Sequence, residues 1–203
     1  MYNNKIEKMK RLLLLVMLYL FTADPIAAQG EVGVKTNLLY GATSFTPNLG
    51  MEIGLGRRTT IDISGGYNWF NLKGSVADNQ KRVHWIIQPE FRYFLCEKFN
   101  GHFFGIHGLY SQYNISEHKL PLLFGKDSKD FRFQGSAYGA GISYGYQLML
   151  SKSWNVEFNL GFGYARMLYD KYECQTCGSK LESKTKNYFG PTKAGISLIY
   201  IIK

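Results

Sequence analysis

The sequence predicts an all-β protein: an eight-stranded antiparallel up-and-down transmembrane β-barrel with a filled lumen. Three observations carry that expectation. The 203 residues include 16% aromatics and 22 glycines but only 19% charged residues, below the roughly 25% of ordinary soluble domains, which excludes intrinsic disorder. Eight segments alternate apolar and polar residues with period two, the mark of strands with two unlike faces. The connections between them, apart from the first around Thr43 to Pro47, are short at one end and long and polar at the other, as in outer-membrane barrels. A helical membrane protein is excluded, because the longest apolar run, Leu12 to Phe21, falls well short of the ~20 residues a helix needs to span.

That run opens the chain's organisation. Lys5, Lys8, Lys10 and Arg11 precede it and Ala27-Ala28 follows it, the three-part pattern of a secretory signal peptide over residues 1–28. A single membrane anchor is the rival reading, and the run is short for it. Residues 29–203 then form the barrel. Cys96, Cys174 and Cys177 are the only cysteines, and none sits at the cleavage point, so no lipoprotein is expected.

The first two strands are placed near Val32 to Gly41 and Asn48 to Gly56. The third, Thr60 to Phe70, sets Ile61, Ile63, Tyr67 and Trp69 against Asp62, Ser64, Gly66 and Asn68. The fourth, Val83 to Leu95, is the clearest: Val83, Trp85, Ile87, Pro89, Phe91, Tyr93 and Leu95 against His84, Ile86, Gln88, Glu90, Arg92 and Phe94. His102 to Tyr113 follows, then Tyr138 to Leu148 with Gly139, Gly141, Ser143 and Gly145 on one face, then Trp154 to Tyr164 with Asn155, Glu157, Asn159 and Gly161 on one face, and last Tyr188 to Ile202. Short turns are expected at Arg57-Arg58, Cys96 to Gly101 and Leu150 to Ser153, and long loops at Asn71 to Arg82, Asn114 to Phe133 and Leu168 to Asn187.

Period two does not say which face points inward, and a soluble lipocalin-type barrel is the alternative. Such a barrel shows water a face rich in Lys and Glu. Here the polar face is mostly Gly, Ser and Asn, which suits the crowded interior of an eight-stranded barrel. The other face is uncharged on the four clear strands and carries Tyr and Trp near strand ends, as aromatic girdles require. The expected location is the outer membrane, with both termini periplasmic. Lys193, Gly195, Leu198 and Tyr200 resemble the C-terminal signal read by the barrel assembly machinery, although the chain ends on Ile201-Ile202-Lys203 rather than on an aromatic.

Inward positions place Lys35, Arg92 and Lys193 against Glu52, Asp62, Glu90 and Glu157, with His84 and His107 between. Buried charges must be paired, so a connected network and no conducting pore are expected. A last loop symmetric about Gln175 sets Glu157 across from Lys193, and a tight turn at Cys96 to Gly101 sets Glu90 across from His107. Glu90 and His107 are the one candidate acid/base dyad. A nucleophile is missing: no His-x-Ser occurs, and Ser111 lies four residues beyond His107, roughly 13 Å along a strand. No catalytic residue, cofactor or metal is therefore assigned. Cys174 and Cys177, as Cys-x-x-Cys in an exported loop, are expected to form a local disulfide; free thiols, an intermolecular link and half of a zinc site are the alternatives. The lysines of the long loops either bridge the phosphates of outer-membrane lipopolysaccharide or are simply solvated; facing outward, they do not point to nucleic acid.

Val34-Lys-Thr-Asn-Leu-Leu-Tyr40, Gln88-Pro-Glu-Phe-Arg-Tyr93, Tyr138-Gly-Ala-Gly-Ile-Ser-Tyr-Gly-Tyr146, Tyr172-Glu-Cys-Gln-Thr-Cys-Gly178 and Asn187-Tyr-Phe-Gly-Pro-Thr-Lys-Ala-Gly195 resemble a family of short outer-membrane barrels classed as a domain of unknown function. Members occur in Gram-negative anaerobes and are often encoded near fimbrial components. The resemblance implies a partner in surface-fibre assembly or adhesion and brings no catalytic residues. The expected function is thus a non-enzymatic barrel presenting basic loops, structural or fibre-associated. A barrel-embedded lipid A hydrolase and a small pore are the alternatives.

Overall fold

The computed structural model describes residues 31–69, 71–75, 78–116, 131–172 and 179–202, as nine strands and one short helix. The strands are β1 (Val32–Asn37), β2 (Asn48–Gly54), β3 (Thr59–Asn68), β4 (Asn71–Ser75), β5 (Asp78–Phe94), β6 (Gly101–Ser116), β7 (Arg132–Met149), β8 (Trp154–Tyr172) and β9 (Lys180–Ile202). The helix α1 spans Leu38–Ser44. Each strand pairs antiparallel with its neighbours, β1 pairs with β9, and β3 pairs with β5. Eight strands therefore close into a ring, and the small β4 only extends β5 as a hairpin arm.

The expected parity holds around the ring. Along β8, Asn155, Glu157, Asn159, Gly161 and Gly163 are buried while Trp154, Phe158, Leu160, Phe162 and Tyr164 are exposed. The same division runs along β3, β5 and β7, so the small and charged residues line the interior and the apolar ones the exterior.

Two expectations on extent are corrected. The first strand stops at Asn37 rather than Gly41, because the Asn37 side chain accepts from Tyr40 N at 3.0 Å and caps α1. Side-chain capping of this kind competes with the ladder for the same backbone groups. The stretches expected as long loops are also partly strand: β8 runs on to Tyr172 and β9 starts at Lys180. Polar residues occupy both faces there, so hydrophobic alternation fades while backbone pairing continues.

The short turns share one end, here called the lower. There the interior is sealed by Phe94, Phe99, Phe103, Ile199 and Ile201, all buried. Phe99 reaches this floor from the turn after β5, in a left-handed conformation (φ 62°), and its carbonyl accepts from Asn155 Nδ2 at 2.7 Å.

Candidate functional site

Immediately above the aromatic floor lies the largest polar assembly among the described residues. Arg92 enters from β5, and its guanidinium carbon sits 4.6 Å over the Phe103 ring. Its nitrogens donate to four carboxylates: Nε to Glu90 at 2.7 Å, Nη1 to Glu52 at 2.8 Å and Glu157 at 2.7 Å, Nη2 to Asp62 at 3.1 Å and Glu157 at 3.1 Å. A guanidinium has five N–H donors, and each of these contacts engages one.

The two lysines complete the assembly. Lys35 Nζ on β1 lies 3.1 Å from Glu52, 3.0 Å from Asp62 and 3.3 Å from Glu157. Lys193 Nζ on β9 lies 3.3 Å from Asp62 and 2.7 Å from Glu90. Neutral donors add to it: Thr60 bonds Glu52 Oε1 and Ser143 bonds Glu90 Oε1, oxygens the cations leave, while Ser64 bonds Asp62 and Gln147 bonds Glu52 and Glu157 at oxygens the cations share. Of the residues singled out from sequence, seven thus meet in one cluster, and Thr60, Ser64, Ser143 and Gln147 are additions. Their inward parity was the available signal.

His107 stands apart. It faces Glu90 in register, as expected, yet its Nε2 meets Thr192 Oγ1 at 2.8 Å and its Nδ1 has no hydrogen-bond partner among the described residues. Glycines make its place: a Cβ on Gly161 would stand 2.7 Å from His107 Cε1, and one on Gly141 2.8 Å. His84 lies higher, with Nε2 2.8 Å from Tyr40 Oη and 3.3 Å from Thr46 Oγ1. The expected pairing of Glu157 with Lys193 is not found. Glu157 faces Ser197 and Lys193 faces Gly161, because the β8–β9 hairpin is not symmetric about Gln175 and bulges interrupt it at Gly161/Phe162 and Lys171/Tyr172. The shift is an even number of residues, so both side chains still point inward.

On the outside, exposed apolar side chains form a belt bounded by aromatic rows. Tyr67, Trp69, Trp85, Tyr110, Tyr138 and Tyr164 mark the upper row, and Tyr93, Tyr144, Tyr146, Trp154 and Tyr200 the lower. Rings touch along both, Trp85 with Tyr110 at 5.3 Å and Trp154 with Tyr200 at 5.0 Å. Of the proposed assembly signal, Leu198 and Tyr200 lie on this outer face while Lys193 and Gly195 point inward.

Above the belt, the β8–β9 extension pairs its charges. Asp170 accepts from Lys180 Nζ at 2.8 Å and from Ser183 Oγ at 2.7 Å, and Lys184 lies 2.8 Å from Glu182. The bonds from Lys180 and Ser183 hold the Asp170 carboxyl below its ordinary value. The bond from Lys184 lowers Glu182 in the same way, and Lys184 is raised in return. Of the lysines expected in long loops, Lys171, Lys180 and Lys184 are strand residues with acidic neighbours here. Cys96 is an exposed free thiol at the lower end, while Cys174 and Cys177 lie outside the described residues, as do residues 1–28. Among the described residues no three His, Cys, Asp or Glu side chains converge on a metal site.

A closed antiparallel ring with its charges inside and its apolar side chains outside defines the class of this molecule. The chain belongs to the family described as "Protein of unknown function (DUF3575)", whose model matches residues 12–202. No curated protein and no solved structure matches it.

Proposed function

We propose that the chain is a non-enzymatic, plugged β-barrel anchored in the outer membrane that serves as a surface platform with a structural or fibre-associated role. The apolar belt carries this reading. Outward positions between the two aromatic rows are uncharged on every strand of the ring, and the first exceptions, His102 and Arg166, lie at its edges. On β7 the belt runs from Tyr138 to Leu148, about 33 Å of strand or roughly 25 Å along the axis at a ~40° tilt, the height of the apolar band of known outer-membrane barrels. An exposed apolar surface of this extent marks a protein or membrane partner, and one that girdles the whole ring at this height suits lipid. The filled interior argues against conduction. The capture of Glu90 by Arg92, Lys193 and Ser143 leaves it a poor base.

The full chain, signal included, is to be expressed in a Gram-negative host and its outer membrane isolated. The expected result is a band whose mobility changes on boiling, as for folded barrels, and no steady conductance in planar bilayers. Release from the membrane by alkaline carbonate overturns the membrane reading, and a porin-sized conductance overturns the plug. For the surface role, crosslinking on intact cells is expected to capture a fibre or adhesion component. Recovery of only assembly machinery and lipopolysaccharide removes the fibre association.

A further inference from the structure

Above the belt the wall changes character. Tyr113, Phe133 and Met167 pack there as a buried apolar cluster on its inner side, so the apolar side chains turn inward and the outward positions become mostly polar. Register sets Trp85, Gln112, Ser136, Leu168 and Thr185 side by side on neighbouring strands. The next outward row up carries Asn114, Gln134, Asp170 and Ser183 in the same way. Between them runs a groove of about 620 Å³, within the range of small-molecule sites. It lies on the outer face, because its lining takes in both of these rows and not Phe133, Ala137 or Met167 behind them.

The chemistry of the lining narrows the occupant. The Asp170 carboxylate is met by Lys180 and Ser183, and the ammonium of Lys184, another lining residue, lies 2.8 Å from Glu182. With these charges answered, the groove offers amides and hydroxyls, which both donate and accept. Gln134, Ser136 and Thr185 make no side-chain hydrogen bond among the described residues. At one end stands the Trp85 indole, fixed by its Nε1 donating to Gln112 Oε1 at 3.2 Å and by edge contact with the Tyr110 ring at 5.3 Å. A ring that carries hydroxyls around an apolar face complements this set, and that is a sugar.

The row beneath the groove indicates how the sugar is presented. Arg166 stands there between Tyr138 and Asn187, exposed and with no ion pair among the described residues. A guanidinium matches the geometry of a phosphate. Below Arg166 the outer face is apolar. From the belt upward it therefore reads hydrocarbon, one cation, then a polar groove, which is the order of acyl chains, phosphate and saccharide in an anionic glycolipid.

We propose that this strip of wall binds a phosphorylated glycolipid of the lipopolysaccharide class. Its sugars lie in the groove against Trp85, its phosphate meets Arg166, and its acyl chains run down the apolar belt. The proposal rests on the membrane-spanning reading above and assigns the contact to strand residues rather than to loop lysines.

Native mass spectrometry of the full chain, folded in detergent and titrated with deep-rough lipopolysaccharide, tests it. Parallel titrations use lipid A, which lacks the core sugars, and phosphatidylglycerol, which has a phosphate and no saccharide. Lipopolysaccharide is expected to bind tightest. Ser136→Trp, which fills the groove, Gln134→Ala, which removes a donor and an acceptor from it, and Arg166→Gln are each expected to weaken that binding by about tenfold or more. Lys152→Gln, in the turn at the lower end, leaves it unchanged. Lipid A or phosphatidylglycerol bound as tightly as lipopolysaccharide overturns the assignment, as does unchanged binding in Arg166→Gln or in both groove variants. Each sample is also folded into phosphatidylethanolamine vesicles and run unboiled, so that only folded variants are compared. A wild-type chain that fails to insert defeats the membrane reading, whereas one that inserts and shows no preference for lipopolysaccharide defeats this inference alone.

Discussion

Arg92 grips Glu157 with both terminal nitrogens, Nη1 2.7 Å from Oε2 and Nη2 3.1 Å from Oε1. The two side chains come from strands separated by two others in the ring, so one forked contact crosses the interior. Planar, paired geometry of this kind is available to arginine and not to lysine.

Arg92→Met therefore leaves four buried carboxylates with two lysines. Breaking a buried ion pair from one side costs about 3–5 kcal/mol, and a loss of at least about 3 kcal/mol is expected in urea unfolding from lipid vesicles, with Arg92→Lys intermediate. A methionine variant as stable as the wild type removes the claim that the network stabilises the ring.

Gly161 is predicted to tolerate no side chain while His107 is present. Its Cβ would lie 2.7 Å from His107 Cε1 and 3.0 Å from Lys193 Cβ. Overpacking costs about 1–3 kcal/mol, so Gly161→Ala is expected to lower stability by that amount. Adding His107→Ala is expected to recover much of the loss. Additive losses in the double variant would mean that the two positions do not compete for space.

The Asp170 carboxyl is held below its ordinary value by hydrogen bonds from Lys180 and Ser183. A group depressed in the folded state contributes stability above its unfolded pKa and loses it as pH falls through the folded value. Backbone amides of the β8–β9 extension are thus expected to lose hydrogen-exchange protection below about pH 4, the ordinary aspartate range, and Asp170→Asn is expected to flatten that dependence. Unaltered acid fraying in the variant points to another group.

Cys96 is exposed at the lower end. In a chain whose Cys174 and Cys177 are replaced by serine, a membrane-impermeant maleimide is expected to leave Cys96 unlabelled on intact cells. Permeabilising the outer membrane is expected to expose it. Labelling on intact cells would invert the proposed orientation.

Much of this architecture was legible in the residue order, because burial in a closed sheet depends on parity. Glu52, Asp62, Glu90, Arg92 and Glu157 could be placed inside without knowing their partners. Partners depend on register, and register depends on bulges that leave little mark in composition: Lys193 was expected opposite Glu157 and instead reaches Glu90 and Asp62. The helix at Leu38 has only Asn37 ahead of a short apolar run to mark it, and Val32 to Asn37 alternates as a strand does. The tall β8–β9 arm escaped for the opposite reason, since cross-strand ion pairs sustain a ladder that hydrophobicity does not trace.

The seam where the first and last strands meet joins Val32–Asn37 to β9 over six paired residues, whereas the β8–β9 hairpin is joined over most of two strands of 19 and 23 residues. Lys35 stands in that seam and holds Glu52 on one side of it and Glu157 on the other. The first strand is thus held by short ladders on both sides, six pairs to β9 and four to β2, and the Lys35 ammonium clasps across them.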